Sequence, residues 1–155
     1  MSSEETFPEV ARGLIAGDFS RLERYFDPPP GGGRCRILEW YDAGLFAGEP
    51  TALNEAFTCA CFNGKTKVAE YLLDHGVDAE AGNGTGVNAF HWAANRGQLD
   101  TVNMLIRRGA NMESVNSYGG TVLGMAEWSA VHEPRDNHAA IIQALVDAGA
   151  KRATG

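Results

Sequence analysis

A gapless self-match limits this chain more than any other feature. Residues 62–78 align with residues 95–111, so that Gly64 recurs as Gly97 and Gly76 as Gly109 at one and the same interval. Ahead of the aligned stretches lie Phe57-Thr58-Cys59-Ala60-Cys61 and Phe90-His91-Trp92-Ala93-Ala94, two segments rich in small side chains. The same interval leads from Phe90 to Leu123, and a third copy runs from Leu123 through the apolar stretch that ends at Gly149. Gly149 follows Gly109 by seven more than the interval, so seven have been inserted, and they fall within 129–137. A unit of this length cannot bury its apolar face alone, and stacked neighbours supply the missing core.

Each copy has the pattern of a helix pair. Leu99, Val102, Leu105 and Ile106 recur at helical spacing, while Asp100, Asn103, Arg107 and Arg108 occupy the opposite face, which predicts an amphipathic outer helix. Gly76, Gly109 and Gly149 follow the last apolar turn, where a chain leaving a helix adopts the left-handed conformation that glycine tolerates best. Gly64 and Gly97 separate the small-residue segment from the amphipathic one and predict the break between paired helices.

The period, the segment Asn88-Ala89-Phe90-His91-Trp92-Ala93-Ala94-Asn95-Arg96-Gly97 and the later Val102-Asn103-Met104-Leu105-Ile106-Arg107-Arg108-Gly109-Ala110-Asn111 resemble the ankyrin repeat. The Thr-Pro-Leu-His tetrapeptide of that family has its best counterparts in Asn88-Ala89-Phe90-His91 and Thr121-Val122-Leu123-Gly124, with Glu55-Ala56-Phe57-Thr58 more divergent. The resemblance implies an all-α solenoid of about four repeats and a structural role for His91, tying a turn to its helix. It divides the single domain, 1–155, into a degenerate N-capping repeat at 7–27, an insertion at 28–49, repeats at 50–82 and 83–115, and a C-terminal repeat at 116–151 that carries the second insertion at 129–137. Pro28-Pro29-Pro30-Gly31-Gly32-Gly33 can continue neither a helix nor a strand and predicts a projecting loop. Behind it, Ile37, Leu38, Trp40, Tyr41, Leu45 and Phe46 have the apolar surface to fold back, with a short helix expected over 36–42.

Charge and cysteine content narrow the functional classes. Thirteen Lys+Arg against twenty Asp+Glu argues against binding a phosphate backbone, which needs clustered cations. The acidic start and the lack of any long apolar run predict neither a signal peptide nor a membrane span. Three cysteines, with Cys59 and Cys61 separated by a single residue, point to a reducing compartment, and a cytoplasmic monomer is the expectation. Cys59 and Cys61 read as small core residues. Cys35, between Arg34 and Arg36, is a candidate for an exposed, reactive thiol.

No Gly-x-Ser-x-Gly elbow, phosphate-binding glycine loop or His-Glu-x-x-His run is present. His132, Glu133, Asp136 and His138 gather metal-capable side chains in the second insertion, yet without a ligand spacing they read first as a solvated loop. No cofactor or metal is expected. What remains is the concave face that the resemblance implies. Its expected positions are Thr51, Ala52, Asn54, Phe62 and Asn63, then Thr85, Val87, Asn95 and Arg96, then Ser117, Tyr118, Gly120, Trp128 and Ser129. Aromatic and Arg side chains dominate interface energetics, so Phe62, Asn95, Arg96, Tyr118, Trp128 and Ser129 are the partner-binding candidates, and the expected function is non-catalytic binding of a protein. The alternative is a small enzyme or ligand-binding protein whose insertions close over the groove, with His132, Glu133 or Asp136 as acid/base groups and an apolar cavity beneath Trp40, Tyr41 and Trp128.

Overall fold

Asn88 and Thr121 start two helices by accepting hydrogen bonds from the amides of His91 and Gly124, each at 3.1 Å. These bonds satisfy donors that a helix start otherwise leaves unpartnered. Described in the structure, a computed structural model, are residues 5–82 and 84–151; the repeat boundary expected at Asn83 lies outside them. Among the described residues there are eight α-helices and no strand: α1 (Phe7–Ala16), α2 (Arg36–Asp42), α3 (Pro50–Phe62), α4 (Thr66–Asp74), α5 (Ala89–Asn95), α6 (Leu99–Arg107), α7 (Val122–His132) and α8 (His138–Asp147). Short 3-10 turns occupy Glu23–Phe26 and Leu45–Gly48.

The helices form two layers. In the inner one α1, α3, α5 and α7 each pack on the next, and α4, α6 and α8 follow one another outside them. The repeat register is visible in the core. Phe57, Phe90 and Leu123 are buried at equivalent places, as are Ala60, Ala93 and Ala126, whose methyl side chains let the inner helices approach closely. Leu72, Leu105 and Leu145 are fully buried on the three outer helices. Gly97 has φ 73° between α5 and α6, and Gly109 has φ 76° beyond α6, a left-handed backbone that a side chain penalises by ~1–2 kcal/mol.

Three local expectations change. The N-capping repeat expected at 7–27 has α1 followed only by the 3-10 turn Glu23–Phe26, which stops there because Asp27 precedes Pro28 and a residue before proline is pushed out of the helical region. Helix α3 begins at Pro50, a residue suited to the first helical position. Thr51, Ala52 and Asn54, expected on the exposed concave face, therefore lie on α3, and Ala52 is buried. In the last repeat, residues 129–132 continue α7 to His132, leaving only 133–137 outside a helix.

The segment at 27–34 is exposed throughout, and Gly31, Gly32 and Gly33 all have positive φ. Beyond it the chain returns to the body. Helix α2 covers Arg36–Asp42 and buries Ile37 and Trp40. Phe7 meets Trp40 and Phe46 edge-on, with ring centroids 5.6 and 4.9 Å apart. Tyr71 links the same region to α4 by donating to Asp42 Oδ1 at 2.7 Å. Asn63 Nδ2 donates to Phe19 O at 2.9 Å and ties α3 to the turn after α1. Limited proteolysis is therefore expected to cut first within 28–34, with the helical circular dichroism retained afterwards, because both sides of the cut are packed. Loss of helicity on that single cut would show that the exposed loop holds the fold together.

Candidate binding groove

The groove is built where the ends of α3, α5 and α7 meet the loops that precede α5 and α7. Phe62, the last residue of α3, meets Trp92 in an edge-type contact at 4.9 Å between centroids. Trp92 Nε1–H donates to Thr85 Oγ1 at 3.1 Å, which orients the indole from the adjoining loop. The Arg96 guanidinium lies over the Phe62 ring, 4.5 Å from its centroid, a cation–π contact. These residues, with Val87, Asn95, Tyr118, Met125, Trp128 and Glu133 among the others, line one cleft of about 850 Å³.

Both ends of the wall are held by polar locks. Asn95 Nδ2 donates to Ser129 Oγ at 2.8 Å and to Glu133 Oε1 at 2.9 Å, joining the end of α5 to the extended end of α7. His138 Nδ1 accepts the Arg135 N–H at 2.9 Å, while Nε2 meets Ala94 O and Asn95 O, both at 3.0 Å. One neutral tautomer, with the proton on Nε2, serves all three bonds. On the other side, Asn116 Oδ1 accepts the amides of Tyr118 and Gly120 at 2.9 and 3.0 Å. His91 Nε2 meets Gly120 O at 3.1 Å and His91 Nδ1 meets Asn88 Oδ1 at 2.7 Å, so this histidine anchors the loop that carries Tyr118. Burial lowers its pKa, opposed by the Gly120 carbonyl.

The sequence candidates divide into two sets. Tyr118 is 84% exposed and Trp128 49% exposed, and both face the cleft. Trp128 is stacked on His132, with centroids 4.5 Å apart and ring planes at 18°. Phe62 and Asn95 are not exposed as expected. Both are buried, yet both contribute to the cleft lining. Ser129 is fully buried beneath Asn95 and is absent from the lining, because the extension of α7 turns it inward. Val87 is also buried, at the cleft floor. Trp92 was missed by sequence reasoning, although it is the indole in contact with Phe62. The available signal was its place on the same helix as Asn95, one turn ahead of Arg96.

The chemistry-bearing alternatives are distributed differently. His138 is buried and bonded to backbone, so it is not a side chain of a solvated loop. No group of three or more His, Cys, Asp or Glu suited to one metal ion occurs among the described residues. Cys35 is buried, and desolvation raises its pKa against the pull of Arg34, which overturns the idea of an exposed thiolate. Cys59 and Cys61 are buried core residues with raised pKa values from the same cause. Trp40 packs with Phe7 and Tyr25, and Tyr41 with Tyr71 and His75. Neither lines the cleft with Trp128, because α2 folds back on the N-terminal side of the stack.

A family model described as ankyrin repeats, in three copies, matches residues 37–116 and 57–153, together more than half of the chain. The chain belongs to the ankyrin repeat family. No curated protein matches it significantly. Ankyrin repeats are protein–protein interaction modules, and no helix among the described residues of this ankyrin repeat chain is long and apolar enough to cross a membrane.

Electrostatics separate one residue of the ankyrin groove from the rest. Arg96 is partly buried, and its Nε has no hydrogen-bond partner among the described residues. Burial lowers its pKa first and the like charge of Arg135 second, against smaller opposing pulls from Glu133 and Glu23. Outside the groove, Glu55 is a buried carboxylate on α3. Its Oε2 accepts the Gly84 amide at 2.9 Å, its Oε1 has no partner among the described residues, and burial raises its pKa.

Proposed function

We propose that this ankyrin repeat protein is a non-catalytic interaction module that takes a segment of a partner protein into its concave groove. The supporting observation is that four aromatic side chains, the paired rings of Phe62 and Trp92 together with Trp128 and Tyr118, line one cleft. Trp128 and Tyr118 expose large rings that the repeat stack does not need for its own core. Aromatic side chains in such positions anchor partners because they offer large contact area with few rotatable bonds. The reading takes the chain as a cytoplasmic monomer and rests that location on three free thiols, Cys35, Cys59 and Cys61.

The test uses a photo-crosslinking amino acid placed at Tyr118, in the groove, and separately at Lys67, exposed on α4. In the native cell, the position 118 derivative is expected to capture a protein that the position 67 derivative does not. Capture from position 67 alone would contradict groove binding. A cleft of this volume is also in the range of small-molecule pockets, so a low-mass adduct at position 118 with no protein attached would favour the ligand-binding reading instead.

A further inference from the structure

The guanidinium of Arg96 sits in the groove wall without an ion pair or side-chain hydrogen bond among the described residues, stacked on Phe62 at 4.5 Å. Among the described residues that line the cleft, Glu133 carries the carboxylate, and one of its oxygens accepts from Asn95 at 2.9 Å. Arg135 adds a second positive charge nearby, and burial further disfavours the bare cation. The groove therefore joins apolar surface at Trp92, Met125 and Trp128 to a positive charge short of acceptors. A planar guanidinium pairs best with a carboxylate, which can accept two parallel N–H bonds from it.

We propose that the groove selects a partner peptide segment in which an acidic side chain, seated on Arg96, lies at a fixed spacing from an aromatic or long aliphatic anchor held between Trp92 and Trp128. This deepens the groove-binding reading and rests on it. The chain's net charge of −7 opposes acidic partners at long range. That field is largely screened beyond about 8 Å at physiological ionic strength, so recognition of the carboxylate is local to the groove wall. An acidic group there supplies acceptors that no described residue of the chain gives Arg96 Nε, and it offsets the Arg96–Arg135 repulsion. Met125, an adaptable side chain on the same wall, accommodates anchors of different shape without loss of the charge requirement.

The probe is a displayed library of random twelve-residue peptides selected on the 155-residue chain, with enriched sequences remade as fluorescent peptides. Enriched sequences are expected to place Asp or Glu at a constant distance from a Trp, Phe, Leu or Met. Arg96→Gln should weaken such a peptide about tenfold or more, and replacing the peptide's acid by its amide should have the same effect. Combining both changes should add little, since they remove one interaction from its two sides. Arg96→Lys, which keeps the charge, should recover part of the loss, and circular dichroism checks the fold of each variant. Peptides that lose binding on Trp128→Ala but are indifferent to Arg96→Gln would overturn the carboxylate pairing and leave the groove reading standing. No enriched peptide, or peptides indifferent to both substitutions, would overturn both.

Discussion

Leu105→Ala is expected to reduce the stability of the folded chain by about 2–5 kcal/mol. Leu105 is fully buried on α6, the middle helix of the outer layer, with α4 on one side and α8 on the other. Removing its isobutyl group forfeits the transfer free energy and leaves a cavity that close-packed neighbours on both sides can only partly fill. In a stacked array each unit is held by its neighbours, so a lesion in the middle weakens two interfaces at once. Small domains are stable by only about 5–15 kcal/mol, which makes this a large fraction of the whole. Gly109→Val gives the contrasting case. At φ 76°, with nothing near the position of an added Cβ, its cost is the backbone penalty alone, ~1–2 kcal/mol. Urea unfolding of the two variants beside the parent measures both. Midpoints unmoved by Leu105→Ala would contradict the stacked core.

How much of this was legible in the sequence depends on what carried each signal. The positions of α4, α5 and α6 follow from periodicity and terminal glycines, because those residues answer to local backbone geometry and to a core face that returns with every repeat. The short helix at Arg36–Asp42 was also legible from its apolar spacing. The start of α3 was not. In the aligned copies the equivalent helix begins just after Asn88 or Thr121, whereas here Pro50 opens it early. The site was read in part. Tyr118 and Trp128 are exposed as their repeat positions suggest. The inward turn of Ser129 goes with the helical continuation of 129–132, across from which Glu133 and His138 bond to the end of α5. Those bonds join residues far apart in the chain, Asn95 to Glu133 and Ala94 to His138, and have no local signature. Trp92 was obscured by its small-residue surroundings, which suggest only close helix packing, while its ring reaches out from that segment to Phe62 and Thr85.

The groove account makes its sharpest demand on Trp128. The ring is half exposed, belongs to the cleft wall and contacts His132 rather than the hydrophobic core. Truncation to alanine should therefore cost little in folding. A desolvated aromatic anchor carries a disproportionate share of interface energy, about 2 kcal/mol or more, which corresponds to roughly thirtyfold in affinity. The extension of α7 gives the competing account, in which Trp128 serves only to hold residues 129–137 in place and its loss damages fold and binding together. Isothermal titration of the captured partner segment into the wild-type chain and into Trp128→Ala, with thermal unfolding of each, is the direct measurement. The account predicts binding weaker by about thirtyfold with the unfolding temperature nearly unchanged. Unchanged affinity, or a loss of affinity that merely tracks a large fall in thermal stability, would contradict it.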